Sequence, residues 1–248
     1  MFGFKKKDKE PLHVKLKEDQ FCYVIEKKAS DVTNKFCFIA QEVNYNLLYR
    51  DGSFYGMPHA GGGRIFPFST DPTRPGSKGE MKQFSEAQIV CLSKDFNLMV
   101  RWGGRTALKI YDKEANRVVQ LGARGTFYIC IDPTDAARKA DMFYRKLLTQ
   151  RNAELFNTEA LRDFLASAFE NQFAAKLEQY LESVDMSVTQ LVGLKPSQYL
   201  DVSAALYPTI KDLLAVYGIS IVETSKSSLL EEARFFVVND GGDLTPEN

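Results

Sequence analysis

The chain has 248 residues, 44% of them apolar, and its 32 basic and 32 acidic side chains cancel to a formal net charge of zero. This excludes a disordered chain, and it leaves no global field toward nucleic acid or an anionic bilayer, so any attraction of that kind has to be local. Four scattered cysteines, Cys22, Cys37, Cys91 and Cys130, make no Cys-x-x-Cys pair and read as free thiols of a reducing compartment; no apolar run reaches the about 20 residues that a bilayer core demands.

The first residues, MFGFKKKDKEP, place Phe2 and Phe4 ahead of Lys5, Lys6, Lys7 and Lys9. Two rings beside lysines suit a shallow contact with an anionic lipid surface or a partner, each charge being worth about 1 kcal/mol near such a surface. The competing reading is a solvated, frayed terminus. There is neither an apolar leader nor a glycine at position 2 for myristoylation, so the expected location is cytoplasmic, with peripheral membrane attachment as the variant.

From Phe21 to Phe68 short β-like runs alternate with turn residues: FCYVIE, KFCFIA, YNLLYRDGSFYGM and RIFPFS. Asp51-Gly52 is the best hairpin signal, because both central positions of the favoured turn need positive φ. His59-Ala60-Gly61-Gly62-Gly63-Arg64 resembles a phosphate cradle only superficially: it lacks the Gly-Lys-Ser/Thr ending and no helix pattern follows, so it reads as a turn. Residues 69–83 concentrate proline, glycine and charge, as an exposed loop does.

Strands are expected at Ala87–Leu92, Leu98–Trp102, Thr106–Tyr111 and, longest, Val118–Ile131. In the last, Val119, Leu121, Ala123, Gly125, Phe127, Ile129 and Ile131 alternate with Gln120, Arg124, Thr126 and Tyr128, the pattern of one buried face. Asp132-Pro133-Thr134-Asp135 then offers an N-cap and a proline for the first helical position of a helix reaching Gln150.

Beyond it the period becomes helical. Asn157-Thr158-Glu159 caps a long helix whose stripe is Leu161, Phe164, Leu165, Ala168, Phe169, Leu177, Tyr180, Leu181 and Val184. A short segment at 186–192 leads to a helix from Pro196 to Tyr217, which Pro208 should kink or split and Gly218 should stop. Ile219–Thr224 alternates like a strand. The predicted class is α+β: an antiparallel β-rich half, then amphipathic helices and a closing strand.

No constellation for catalysis stands out. His13 and His59 have no partner at ligand spacing, so no metal is expected, and no cofactor loop is present. Asp71, Glu80 and Glu86 read as solvated carboxylates. Trp102 between Arg101 and Arg105 reads as a core residue flanked by surface arginines, with ring or base stacking as the alternative.

Five stretches in order add a resemblance: Tyr49-Arg50-Asp51-Gly52, Leu98–Gly103 (LMVRWG), Gly122-Ala123-Arg124-Gly125 followed by Tyr128, Ile131-Asp132-Pro133, and Tyr217-Gly218-Ile219. Over Val43–Thr224 the chain resembles the SPFH, or band 7, superfamily of stomatins, prohibitins and flotillins, nearest its bacterial virion-core-like subgroup. The resemblance implies a domain over residues 21–225, with a basic segment at 1–20 and a tail at 226–248. It also implies a non-enzymatic, oligomeric scaffold working through self-association and a membrane or membrane-remodelling protein, with no nucleic acid. The chain departs from the pattern in having neither a membrane hairpin nor a long coiled coil, and Leu229-Leu230 and Phe235–Val238 are left either to pack back on the domain or to dock elsewhere. A second reading stays open: a small-ligand-binding or enzymatic β-rich domain with a pocket near His59–Arg64 and Trp102.

Overall fold

The computed structural model describes residues 12–13, 16, 20–33, 36–58, 63–77, 79–80, 83–103, 107–149, 157–195, 198–222 and 233–238. The chain is α+β, and its sheets are antiparallel except for one short parallel pair. It divides into two compact units, one from residues 1–96 and 131–158, the other from residues 97–130 and 159–248.

In the first unit, β2 (Cys22–Lys28), β7 (Glu86–Ser93), β4 (Asn44–Arg50) and β5 (Ser53–Gly56) form a sheet in that order. A smaller sheet has β1 (Leu12–His13), β3 (Phe38–Ile39) and β6 (Arg64–Ile65), so the expected KFCFIA and RIFPFS strands shrink to two residues each. The β4–β5 hairpin turns at Asp51 and Gly52, with φ of 46° and 75°, as the Asp-Gly pair demands. Ile25, Ile89, Leu48 and Cys91 form a buried cluster with Phe38, Ala40 and Ile65.

Tyr49, whose neighbour Leu48 belongs to that cluster, packs its ring 5.5 Å from Tyr144 of the helix that follows Asp132-Pro133. Covered on both faces, β4 is buried at all seven positions, and so shows none of the alternation a half-exposed strand carries.

That helix starts later than its capping signal predicts. The Asp132 carboxylate accepts from Thr134 N (2.9 Å) and Thr134 Oγ1 (2.6 Å), closing a local turn, and Asp135 takes a left-handed φ of 52° before α1 (Ala136–Met142) begins. Pro133 is therefore a turn residue and not the first helical one. Burial works to raise the Asp132 carboxyl, but the Thr134 and Lys139 bonds outweigh it and hold the carboxyl below its ordinary value. From Phe143 to Thr149 the coil widens to a π-helix, where adjacent residues subtend a smaller arc, and the pairs Phe143-Tyr144 and Leu147-Leu148 are all buried.

Most described residues of the loop over 69–83 are exposed, as its composition suggests, while its base is fastened to the sheet. Arg50, 3% exposed, donates from Nε to the Pro67 carbonyl at 2.8 Å and from a terminal nitrogen to the Ser69 carbonyl. Its guanidinium lies over the Tyr55 and Phe84 rings, 3.9 and 4.4 Å from their centroids. Asp51 Oδ1 accepts from Ser85 N, Ser85 Oγ and Glu86 N, and Thr70 and Ser77 donate to the Glu80 carboxylate. One β-strand end therefore pins the loop through its carbonyls.

In the second unit β10 (Arg117–Ile131) is the axis. Along one side run β8 (Asn97–Gly103) and then β9 (Leu108–Asp112); it also pairs with β11 (Ile219–Ile221) and β12 (Arg234–Val237). The alternation predicted for β10 is present: Leu121, Ala123, Phe127 and Ile129 are buried, while Gln120, Arg124 and Tyr128 are exposed. β12 lies within the range expected as a tail, and of the two roles open to Phe235–Val238 it takes the first, packing back on the domain.

Helix α2 (Thr158–Ser183) covers the buried face with Leu161, Leu165, Phe169, Phe173, Leu177 and Leu181. This is a strict four-residue row. Each step of four turns about 400°, so the row winds slowly around the helix and no straight face captures it. After it come α3 (Val188–Val192), closed by a Ser187/Gln190 capping box, and α4 (Tyr199–Ala215). Pro208 does not split α4: Val202, Leu206, Ile210 and Leu214 are buried on both sides of it, and packing carries the helix across the missing hydrogen bond.

A candidate partner-binding cleft

The only tryptophan in the chain is a core residue. Trp102 is 2% exposed, with ring centroids 4.8 and 4.7 Å from those of Phe169 and Phe173, so it presents no face to a base or ligand. It lies over Gly125, where a Cβ would come within 2.7 Å of the indole. Its neighbour Arg101, one residue along β8, is exposed, as a period of two requires.

Beside the apolar row of α2 runs a second one, Arg162, Ala166, Glu170, Ala174 and Glu178, also at four-residue spacing. Its polar members reach the outer edge of β8 and β9. Arg162 Nε donates to the Met99 carbonyl at 2.9 Å, Gly103 N donates to Glu170 at 2.6 Å, and Tyr111 N donates to Glu178 at 3.1 Å. A strand edge left open invites pairing with another chain, and these side chains cover most of this one. Gly103 takes φ of +78° and sits so close to β10 that a Cβ would lie 1.8 Å from the Ala123 carbonyl oxygen; only glycine fits.

Between the two bridges the wall recedes. A cleft of about 440 Å³ opens there, lined by Met99, Arg101 and Gly103 from the strand and by Glu159, Arg162, Asp163, Ala166, Ser167 and Glu170 from the helix. Its volume is within the range of binding sites, roughly 300–1,000 Å³, but its lining is polar and charged, unlike that of a small-molecule pocket. Nearby, Asp112, 3% exposed, holds the β9–β10 turn through Glu114 N and Ala115 N and anchors α3 through Val188 N at 2.9 Å.

The first unit has a shallower hollow of about 560 Å³ at the β2 edge, lined by Cys22, Val24, Glu26, Gln88, Tyr144 and Leu148 among others. Its groups are quiet: burial pushes the Cys22 thiol far up and the Tyr144 hydroxyl up to about 12. Beneath α1, Tyr49 donates to Asp141 at 2.7 Å and Arg145 closes the other carboxylate oxygen at 2.5 Å. Burial and the Asp141 bond both raise the Tyr49 hydroxyl.

The basic segment Phe2, Phe4, Lys5, Lys6, Lys7 and Lys9 lies outside the described residues, as do His59–Gly62 and Arg105. Arg64 is an exposed residue of β6 in the first unit, whereas Trp102 is buried in the second. Among the described residues no group of three His, Cys, Asp or Glu side chains is placed to hold a metal, and no helix is long and apolar enough to cross a membrane. Sequence reasoning passed over the second row of α2. Its signal was available as charged residues eight apart, Arg162, Glu170 and Glu178, but they look like any solvated helix face until the strand edge is set against them.

No protein family, curated protein or solved structure matches the chain.

Proposed function

We propose that this protein is a non-enzymatic scaffold or adaptor of the SPFH type, peripheral to the cytoplasmic face of a membrane, acting through self-association and a membrane or membrane-remodelling partner. The observation that carries the reading is the cleft beside β8, whose walls are a strand edge and a charged helix row and thus suit contact with another polypeptide chain. The order of elements supports the SPFH assignment: a β-rich half, a helix behind Asp132-Pro133, the long α2, then α4 stopping at Gly218 before β11. Of the five ordered sequence stretches, three fall on structural joints, the β4–β5 turn, the exit of β10 and the passage from α4 to β11, and the other two lie within β8 and β10.

Light scattering on the purified protein gives the test, with flotation on anionic liposomes of the full chain and of a form lacking Met1–Pro11. Oligomers that float, and float less without the basic segment, are expected. A monomer that ignores such liposomes defeats the proposal.

A further inference from the structure

We propose that the outward face of the second unit's sheet binds single-stranded nucleic acid, stacking a base on Phe236 and taking the flanking phosphates with Arg124 and Arg234 on one side and Lys109 on the other. The inference goes beyond the scaffold reading and does not depend on it. It departs from the resemblance, which implies no nucleic acid, because a net charge that cancels over the whole chain leaves room for a local basic field.

The strand register builds the face. Helix α2 covers the odd positions of β10, so the even ones, from Val118 to Cys130, turn outward. Residues directly opposite in an antiparallel pair share a face. Lys109 stands opposite Gln120, Phe236 opposite Gly122 and Arg234 opposite Arg124. Leu121 pairs with both Leu108 and Val237, which puts β9 and β12 on the two sides of β10. Lys109, Arg124 and Arg234 are exposed, and Arg101, opposite Thr126, adds a cation where the face meets the cleft. Among the described residues, no outward position of β8 to β12 holds an Asp or Glu.

The ring is laid flat. A Cβ on Gly122 would come 2.0 Å from Phe236 Cε2 and 2.4 and 2.5 Å from Cδ2 and Cζ, the two atoms bonded to it. Those are the distances of a point directly above Cε2; a point beyond the rim of the ring would be farther from its neighbours. One face of the ring therefore rests on the glycine backbone, and the other, half-buried, is turned away from the sheet. Successive outward positions are about 6.8 Å apart, so the platform has the two arginines about that far to one side and Lys109 as far to the other. A nucleotide stacked there has a phosphate toward each. Farther along β10, about 20 Å from Gly122, the exposed Tyr128 offers a second ring.

Charge commits the face to a polyanion. Arg124 and Arg234 are paired directly, and like charges directly opposite destabilise a strand pair. No carboxylate of a described residue offsets them or Lys109. Arg234 also lies near the Tyr199 hydroxyl, but burial raises that group and keeps it neutral at pH 7, so the guanidinium charge stays uncompensated. At the β8–β9 edge Glu170 and Glu178 accept from Gly103 N and Tyr111 N. A second copy of this face would set cations against cations. A lipid surface fits less well than a base, since insertion needs a ring standing clear of the sheet and this one lies against it, as a stacking platform does.

The experiment uses the full chain with fluorescein-labelled oligo(U) and oligo(dT) of about 12 nucleotides, within the roughly 4–16 that one binding fold of this kind covers, a duplex of the same length, and vesicles of phosphatidylserine and phosphatidylcholine. Anisotropy gives affinity. Either single strand is expected to bind about tenfold or more tightly than the duplex, whose base faces are already stacked, and the tighter of the two names the sugar. With three cations on phosphates, binding should weaken about 20-fold between about 50 and 200 mM KCl. Arg124→Gln with Arg234→Gln should lower the salt slope by about 1.4 while leaving the unfolding midpoint unchanged or raised. Phe236→Leu should weaken binding about fivefold or more with the salt slope kept, since it removes stacking and no charge. If that variant shifts Trp102 emission, the exposed Arg124, Arg234 and Lys109→Gln variants decide the claim on slope alone. Failure of both strands to bind, a duplex bound as tightly as a single strand, an unchanged slope in the double arginine variant, or binding to the vesicles alone overturns the proposal.

Discussion

Replacing Gly125 by alanine puts a methyl group where the Trp102 indole already is. The added Cβ would lie 2.7, 2.8 and 2.9 Å from indole Cζ2, Cε2 and Nε1. The ring cannot retreat, because Phe169 and Phe173 hold it from the helix side at under 5 Å between centroids. Overpacking of this kind costs about 1–3 kcal/mol. Glycine in a strand is itself worse than alanine by about 0.5–1 kcal/mol, which acts in the opposite direction. The net loss is then about 0–2.5 kcal/mol, centred near 1 kcal/mol, and with a urea slope of about 3 kcal/mol/M the midpoint falls by up to roughly 0.8 M. The assay is urea unfolding followed by tryptophan fluorescence, which reports on the second unit because Trp102 is the only emitter of its kind. Gly193→Ala serves as the comparison: its φ is −78° and the new Cβ would be 3.4 Å from its nearest neighbour, so it should be neutral or slightly stabilising. Trp102→Phe, followed by circular dichroism, should remove most of the penalty of Gly125→Ala. A Gly125→Ala variant as stable as wild type, with unshifted emission, refutes the packing argument.

Three further outcomes concern the first unit and, in the last of them, Cys130 of the second. Asp141→Ala leaves the buried Tyr49 hydroxyl without its acceptor and Arg145 without its carboxylate, a loss of about 2–4 kcal/mol in thermal or urea unfolding, of which Asp141→Asn should restore part. Tyrosine titrates near 10 when unfolded, whereas burial lifts Tyr144 to about 12 and raises Tyr49 as well. Their contribution is therefore whole below about pH 10 and is lost as pH rises toward about 12, so stability measured over that window should fall less in the Tyr49→Phe, Tyr144→Phe double variant than in the wild type. Burial also raises the Cys22, Cys37 and Cys91 thiols, Cys91 to about 12. Alkylation mapped by mass spectrometry at pH 8 should label the half-buried Cys130 first, and reach Cys22 and Cys91 only on unfolding.

The elements that could be read from the sequence are those set by a residue and its near neighbours. β10 announces itself because period-two alternation sorts Leu121, Phe127 and Ile129 from Gln120, Arg124 and Tyr128 wherever the strand lies. Asp51-Gly52 and Gly218 do so because positive φ is a local demand. Where two local solutions compete, the reading fails: Asp132 was free to cap a helix or to close a turn on Thr134, and its carboxylate does the second. Burial is harder still. β4 is covered on both faces and hides its alternation, and Phe173 escapes the expected stripe because the buried row of α2 winds as it climbs.

The cleft belongs wholly to tertiary structure. The same charges on α2 would be a solvated face on an isolated helix; what gives them a role is a strand edge 67 residues earlier in the chain, where Gly103 N and Tyr111 N meet Glu170 and Glu178. The sequence by itself determined the longer strands and helices, the Asp51-Gly52 and Gly218 turns and the apolar face of β10, since these follow from periodicity and backbone chemistry over a few residues. Only the folded unit decided which polar groups meet across the cleft, because hydrogen bonds act over about 3 Å in space and are indifferent to distance along the chain.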